Sequence, residues 1–395
     1  MSNGFSDFAD AMARSSSAPS VAAHSIERVA VLGGGADAQL LAAFCLSQGR
    51  TVRLFSAYGA ELNSLKSAGG INLRDDGPVG SYQVNAESGV SIECAAELDL
   101  AVSDADLIFL TGPVHKQRTY AMVLADHLKD GQILVLAPAR TFGGLETRAY
   151  LNAGGCCADV TIAELSTLPF WFRQSGNTLH LSRCAAIDLT TVPANRLNVQ
   201  SAVRDLLGAG NDHAHGLHCA LGDASGLVEV PTLLMGGPAF APGGPVVPMG
   251  GAPLEKNATF RNLLGHDHLT MIDALAQERR AVARQLGIRD LPPTEQWLDQ
   301  FAGHASGAGA RPVPDREQSL QMVRDAVVGS LVPLAAMARA LGVDCSTTDA
   351  MITSASTILN ADLTAVGRNL STLGVGGLQG QELRNAVEQL SAGGR

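Results

Sequence analysis

The stretch that decides the fold is residues 28–38, which read Arg28-Val29-Ala30-Val31-Leu32-Gly33-Gly34-Gly35-Ala36-Asp37-Ala38. The apolar run before the glycines predicts a buried strand, and residues 36–48 have the pattern of a helix. The loop between them follows Gly-x-Gly-x-x-Ala, which permits a tight turn, a close approach of the backbone to a pyrophosphate, and close packing of helix on strand. Free N–H groups at the start of the helix favour an anion there. We therefore predict a dinucleotide site formed by Gly33, Gly34, Gly35, Ala36 and Ala38; a tight turn in a domain that binds no cofactor is the alternative.

The sequence around this loop alternates short apolar runs with helical patterns. Strand-like runs recur at residues 51–55, 106–110, 132–136 and 160–163. Continuous apolar strands separated by helices indicate a parallel sheet that is covered on both faces. After about residue 190 the pattern becomes helical, with candidate helices at 267–286, 317–341 and 349–373.

These patterns predict an α/β fold class and three segments. Residues 1–26 read as a loose tail, and residues 27–189 as an N-terminal Rossmann-type doubly wound parallel sheet. Residues 190–395 read as a mainly α-helical domain that binds substrate and carries the catalytic groups. A Gly/Pro-rich stretch at 236–254 is either a lid or a simple connection.

Composition narrows the class of protein. The chain has 395 residues, 46% of them apolar and 17% charged, with a formal net charge of −10. A nucleic-acid binder would usually carry a basic excess, and no basic run suggests a membrane surface. Neither an apolar run near 18 residues nor a Cys-x-x-Cys pair occurs, so we predict no membrane span and no structural zinc. A cytoplasmic protein follows as the default expectation.

The end of the second strand bears on the choice of cofactor. An acidic residue that holds the adenosine ribose of NAD is normally found there, and this chain has Ser56 instead. With no carboxylate to repel a 2′-phosphate, and with Arg53 nearby, the sequence favours NADP and leaves NAD open.

Further segments form an ordered set along the chain. They are Thr111-Gly112-Pro113-Val114-His115, Ala163-Glu164-Leu165-Ser166-Thr167-Leu168-Pro169-Phe170-Trp171-Phe172-Arg173, Gly329-Ser330-Leu331-Val332-Pro333 and Gly367-Arg368-Asn369-Leu370. This order resembles the opine dehydrogenases (the octopine and nopaline dehydrogenase family) over most of residues 28–390. The resemblance implies an NAD(P)-dependent oxidoreductase that reduces an imine formed from a 2-keto acid and an amine or amino acid. It also implies that Gly112 and Pro113 contact the cofactor and that His115 lines the nicotinamide pocket.

The resemblance does not extend to the residues that transfer a proton in the family. The family's catalytic His falls on Val228 or Val230, and the Asn before it falls on Ser225. The family's Asp is matched by Asp325, whereas its keto-acid-binding Arg is replaced by Leu320. We therefore consider His218, Glu229 and Asp325 as catalytic candidates. For the substrate carboxylates we consider Arg324 and Arg173.

Other interpretations stay open. The histidines at 213, 215, 218, 266 and 268 allow a metal site, but their spacing does not define one, and we predict none. The loss of the family's His also allows an alcohol or 2-keto acid oxidoreductase of the same architecture, like ketopantoate reductases and glycerol-3-phosphate dehydrogenases, or a non-catalytic nucleotide-binding relative. In each catalytic case the partner is a small molecule. A homodimer is one assembly that we consider, and the oligomeric state is left open.

Overall fold

The computed structural model describes residues 25–87, 89–208, 210–235 and 258–393. Almost all of the predicted N-terminal tail and the whole Gly/Pro-rich stretch at 236–254 lie outside these residues. Within them, the strands and helices form an α/β region that is followed along the chain by a helical region.

The first region is an eight-stranded sheet with the order β12-β11-β8-β7-β6-β1-β2-β5. Its strands are β1 (Arg28–Leu32), β2 (Thr51–Phe55), β5 (Glu93–Cys94), β6 (Leu107–Thr111), β7 (Ile133–Ala137), β8 (Thr161–Leu165), β11 (Asp188–Val192) and β12 (Asn211–Asp212). Every residue of β6, β7, β8 and β11 is buried, as expected of strands covered by helices on both faces. Among the strands that the structure describes in this sheet, β11 and β8 form the one antiparallel pair. The sheet extends past residue 189, because β11 ends at Val192 and β12 is added at Asn211–Asp212.

Helices cover this sheet, and a second, smaller sheet packs beside it. The helices are α1 (Ala36–Ser47), α2 (Gly59–Ala68), α3 (Leu98–Val102), α4 (Val114–Leu124), α5 (Gly143–Ala153) and α6 (Leu197–Leu207). The second sheet has the order β4-β3-β10-β9, formed by β3 (Gly70–Asp75), β4 (Gly80–Gln83), β9 (Phe170–Ser175) and β10 (Thr178–Arg183). Phe170 at the start of β9 packs on Phe44 of α1, with ring centroids 5.8 Å apart. This contact fixes the strand that carries Trp171 and Arg173.

The second region is helical. It contains α7 (His218–Gly222), α8 (Ser225–Leu234), α9 (His266–Gln285), α10 (Thr294–Ala302), α11 (Arg316–Ala326), α12 (Val332–Leu341), α13 (Ser346–Ile358), α14 (Leu363–Val366) and α15 (Gly380–Ser391). A π-helical segment, Val327–Leu331, joins α11 to α12. Together these make a helix, Arg316–Leu341, whose length and apolar composition would suffice to cross a membrane, but 72% of its apolar window is buried inside the fold. That burial is typical of a core helix.

Two buried arginines hold the regions together. Arg368 is 1% exposed and donates to the carbonyls of Ala139 and Thr141, while its Nε bonds Glu146 at 2.8 Å. Arg279 is fully buried and donates to the hydroxyls of Thr141 and Ser330. Because buried charges are tolerated only when they are paired and hydrogen-bonded, these contacts fix the loop after β7 against the helical region.

Candidate active site

A cleft of about 1030 Å³ opens at the carboxyl ends of the parallel strands, between the two regions. The glycine loop and the turn after β6 form one end of it. The other end is formed by charged side chains, among them Arg140, Glu229, Arg311, Arg324 and Asp325. Ligands of open α/β sheets bind at this edge of the sheet, so we name this space the cleft and treat it as the candidate active site.

The glycine loop is shaped for a dinucleotide. A Cβ on Gly33, whose φ is +134°, would lie 2.2 Å from the Thr111 hydroxyl oxygen, so only glycine fits there. By contrast, a Cβ on Gly35 would meet no atom of the described residues within 4 Å, because Gly35 faces the open cleft. Gly35 is also the N-cap of α1, and no side chain in the described residues caps this helix end. Its uncapped N–H groups and positive dipole end fit a pyrophosphate.

The other predicted cofactor residues surround this loop. Gly34, Ala36, Gly112 and Pro113 line the cleft. Ala38 is buried, and its Cβ lies 3.5 Å from the position of a Cβ on Gly33, which is the close packing that the motif predicts. His115, however, is exposed in the first turn of α4 and is not among the cleft-lining residues. Its ring is close enough to the cleft residue Asp325 for that carboxylate to favour its protonated form, so its place in the nicotinamide pocket stays a prediction.

The premise for favouring NADP is also wrong. Ser56 is buried, and its hydroxyl donates to the carboxylate of Glu61 at 2.7 Å. Glu61 lines the cleft and pairs with Lys116, whose Nζ lies 2.6 Å from Glu61 Oε1. Burial raises the pKa of Glu61, but hydrogen bonds from Lys116 and Ser56 outweigh it and leave the pKa below its ordinary value. A carboxylate therefore stands beside the end of β2 after all, while Arg53 is occupied by Glu93 and Asp104.

The far end of the cleft is a cluster of two cations and two carboxylates. Arg140 Nε lies 3.2 Å from Asp325 Oδ2, and Arg140 Nη1 lies 4.0 Å from Glu229 Oε2. Arg311 Nη2 donates to Glu229 Oε1 at 2.8 Å. All four side chains are largely buried, so their charges act on each other and on a ligand with little screening by water.

Local backbone geometry positions this cluster. Arg140 has φ +62°, a conformation that a non-glycine residue holds only when its surroundings enforce it. Here the carbonyls on both sides of Arg140 accept hydrogen bonds from Arg368, and Thr141 N–H donates to the Gly329 carbonyl. Gly329 permits this approach, since a Cβ on it would lie 3.1 Å from Arg140 Cγ.

Helix α8 contains the position at which the family has its catalytic histidine. Val228 and Val230 are fully buried in the helical core, whereas Glu229 between them lines the cleft. Its Oε2 accepts no hydrogen bond from any residue that the structure describes. The predicted candidates Glu229 and Asp325 are thus brought together in the cleft, and the predicted Arg173 and Arg324 also line it.

His218 lies elsewhere. It is buried beneath β11, and its ring stacks on that of His213 with centroids 3.6 Å apart. Burial lowers its pKa, and the neighbouring His213 lowers it further. Because α7 directs this side chain away from the cleft, the prediction of a catalytic His218 is not supported by its position.

Asp37 is a titratable group that the sequence reasoning did not single out. It lies in the first turn of α1, lines the cleft, and has its pKa raised by burial to about 6, with Arg140 opposing the shift and Asp325 adding to it. Arg140, Arg311 and Glu61 were also missed. Asp37 lies inside the dinucleotide motif and Glu61 lies in the helix that follows β2, and both positions were a usable signal. The two arginines lie in loops with no such pattern.

Comparison with known proteins places this geometry in context. No protein-family model matches the sequence. A curated protein named opine dehydrogenase, from Arthrobacter sp. (strain 1C), is 25% identical over 383 residues, which cover 91% of this chain and 98% of that enzyme.

Solved structures agree on the fold. Octopine dehydrogenase in complex with NADH and agmatine superimposes with a TM-score of 0.65 at 17% identity, covering 92% of this chain and 98% of that one. Yersinopine dehydrogenase with NADP⁺ bound gives a TM-score of 0.55, also at 17% identity, covering 94% and 99%. The predicted fold class and the predicted resemblance to the opine dehydrogenases are confirmed.

Proposed function

Since this chain is a relative of the opine dehydrogenases along nearly its full length, we propose that it is an NAD(P)-dependent oxidoreductase that reduces an imine. The imine forms from a 2-keto acid and an amine or amino acid. One observation carries this proposal: a single cleft joins the dinucleotide loop to a buried cluster of arginines and carboxylates.

The glycine loop and α1 supply what the cofactor requires. Gly33 allows the turn, Gly35 leaves the backbone open to the cleft, and the uncapped start of α1 offers donors to the pyrophosphate. When bound, the reduced nicotinamide supplies hydride to the imine carbon. Gly112 and Pro113, directly after β6, line the cleft and would contact the cofactor when it is bound.

We propose NADH as the preferred cofactor. The carboxylate of Glu61 stands beside Ser56, where an acidic group usually accepts the hydroxyls of the adenosine ribose. A 2′-phosphate there would face this carboxylate and compete with it for Lys116. The same pair would gain a hydrogen bond from an unmodified ribose, so the geometry favours NADH.

The charged cluster suits the substrate. Two carboxylates arrive with a keto acid and an amino acid, and Arg173 and Arg324 on the cleft wall, with Arg140 and Arg311 deeper inside, can hold them as charge-assisted partners. Burial of the cluster limits water, which would hydrolyse an imine.

Glu229 is the proton carrier that we propose in place of the family's histidine. Arg311 holds one of its oxygens at 2.8 Å, and the other, Oε2, is buried without a hydrogen-bond partner in the described residues. That oxygen can take a proton from the ammonium group of the amine and pass it to the hydroxyl group of the addition product, which leaves as water when the imine forms. The further proton of the reduced product comes from solvent. Asp325 then has a positioning role, since it fixes Arg140 from the opposite side.

A screen for cofactor oxidation tests the proposed imine reduction, the preference for NADH and the role of Glu229. Consumption of NADH and, separately, NADPH would be followed with glyoxylate, pyruvate or 2-oxobutyrate, each with and without a panel of amino acids and amines. We expect turnover only when keto acid and amine are both present, with higher kcat/KM for NADH. We expect E229Q to lower kcat by about 10²- to 10⁴-fold while NADH still binds. Turnover without an amine would instead show a keto acid reductase, and cofactor binding without any turnover would show a non-catalytic relative.

The relatives support a small-molecule substrate. The homodimer, the cytoplasmic location and the absence of nucleic-acid and membrane partners stay predictions.

A further inference from the structure

A buried hydrogen-bond chain runs from the surface to the floor of the cleft and ends at Ser166. Ser166 follows β8, is 1% exposed, and lines the cleft. Its neighbours in the chain are Gln300 of α10 and Asp188 of β11, both also buried. None of these residues has a part in the proton relay or in the dinucleotide loop described above.

The ionised carboxylate of Asp188 determines which atoms donate and which accept in this chain. The Asp188 carboxylate accepts from Gln300 Nε2 at 2.9 Å and from His213 Nε2 at 3.0 Å. Burial raises the pKa of Asp188, but the bonds from His213 and Gln300 outweigh burial and leave the pKa below its ordinary value. Because an ionised carboxylate only accepts, the amide of Gln300 must present its NH₂ group to it.

That orientation decides what Ser166 can do. The same Gln300 NH₂ group donates to Ser166 Oγ at 2.9 Å, and the backbone N–H of Asp188 donates to Ser166 Oγ at 2.8 Å. A serine hydroxyl has two acceptor lone pairs and one hydrogen. Both lone pairs are therefore occupied by buried donors, and no residue that the structure describes accepts the remaining hydrogen.

We propose that Ser166 is a ligand-binding residue whose hydroxyl donates a hydrogen bond to a carbonyl oxygen at the inner end of the cleft. This inference rests on the proposed function, which supplies two such oxygens: that of the nicotinamide carboxamide and that of the keto acid. Gln300 and Asp188 act as positioning residues, because they prevent the Ser166 hydroxyl from turning its oxygen toward the ligand.

The position of the chain supports this assignment. Ser166 lies at the carboxyl end of β8, next to β7, whose end carries the loop with Arg140. Gln300 precedes Phe301, whose carbonyl accepts from Arg311 of the charged cluster. The Ser166 hydroxyl would therefore lie close to a ligand that is bound by Arg140 and Arg311. The unused hydrogen would otherwise be a buried donor without a partner, which costs free energy in a folded protein.

The experiment compares Ser166→Ala, Ser166→Thr and Gln300→Leu with the unaltered protein. Dissociation constants for NADH and for ADP-ribose, which lacks the nicotinamide, are measured by calorimetry, and the KM for glyoxylate or pyruvate is measured at saturating NADH. If the carboxamide is the acceptor, S166A weakens NADH binding about three- to tenfold and leaves ADP-ribose unchanged. If the keto acid is the acceptor, S166A raises its KM by a similar factor and leaves both dissociation constants unchanged. S166T retains the donor and restores the lost affinity in either case.

Gln300→Leu tests the positioning role. It should reproduce part of the loss seen in S166A and add nothing in the double variant, because it removes only the bond that orients the Ser166 hydroxyl and leaves the hydroxyl itself in place. Equal weakening of NADH and ADP-ribose, or no change in any of the three constants, would overturn the proposal. If S166A does not fold, Ser166→Cys, which keeps the shape but is a weak donor, gives the same comparison. A protein that binds NADH but turns over no imine would refute the proposed function while the NADH and ADP-ribose comparison still decides the role of Ser166. Failure of the unaltered protein to bind NADH would refute both.

Discussion

Replacement of Asp37 by Asn should stabilise the protein, and by an amount that depends on pH. Asp37 has its pKa raised from 3.8 to about 6, first by burial in the cleft wall and then by the charge of Asp325, with Arg140 opposing. A group whose pKa is raised on folding binds its proton more tightly in the folded state. Its contribution to stability is therefore fully present below pH 3.8 and is lost as the pH rises through 6.

The magnitude follows from the size of the shift. Each pKa unit corresponds to about 1.4 kcal/mol, so the ionised Asp37 carboxylate costs the folded state about 3 kcal/mol at pH 8. At pH 5, between the folded and unfolded values, the cost is about 1.6 kcal/mol by the same relation. The positive end of α1 stabilises the ionised carboxylate by up to about 1 kcal/mol and offsets part of this cost, because Asp37 lies in the first turn of that helix. We therefore expect D37N to raise the free energy of unfolding by roughly 2–3 kcal/mol at pH 8.

Urea unfolding of both proteins at pH 5 and pH 8 would measure this. The difference between D37N and the unaltered protein should grow by roughly 1 kcal/mol from pH 5 to pH 8. Asp267→Asn is the matched control, since Asp267 is exposed in the first turn of α9 and experiences a helix end without the burial. A difference that does not change with pH, or a D37N protein that is less stable at pH 8, would refute the reasoning.

Three further changes test other parts of the structure. Arg368→Met should lower the free energy of unfolding in urea by about 3–5 kcal/mol, because it leaves Glu146 without one partner for its buried charge; a loss below 1 kcal/mol would show that the pair does not join the regions. His218→Gln should leave kcat/KM within twofold of the unaltered enzyme, and a tenfold loss would return His218 to the active site. Gly35→Ala should leave the melting temperature nearly unchanged, since its Cβ would meet no atom within 4 Å in the part of the chain that the structure describes, but should weaken NADH binding at least tenfold. Unchanged binding would mean that the cofactor does not approach this backbone.

Much of the fold could be predicted because its signals are local. A buried parallel strand is a continuous apolar run, and the glycine loop combines a strand, a tight turn and a helix start within residues 28–38. The four-stranded second sheet was not predicted. Its β3 pairs with β10, about a hundred residues later, and no local pattern specifies such a pairing.

The candidate site was harder to predict because its groups meet only in space. Arg140, Glu229 and Arg311 come from three separate loops or helices, and the direction of each side chain depends on the helical core around it. The sequence indicated Glu229 through its place between two valines at the family's histidine position. It could not indicate that His218, four residues before Gly222 in a short helix, faces the opposite side. Nor could it show that Glu61 reaches back to Ser56, since that contact depends on how α2 packs against the glycine loop.

Arg368 has a consequence for protein engineering. Its guanidinium donates hydrogen bonds to three backbone carbonyls and one carboxylate, none of which lies within residues 367–370. A chimera that joins residues 27–212 of this chain to the helical half of a relative would keep Glu146 and the loop at 138–142, and the relative's own arginine would have to reach the same carbonyls and carboxylate. If that arginine is displaced, exchange of the helical half disturbs Arg140 before any substrate residue is altered. The segments 138–142 and 367–370 should therefore be taken from the same parent protein.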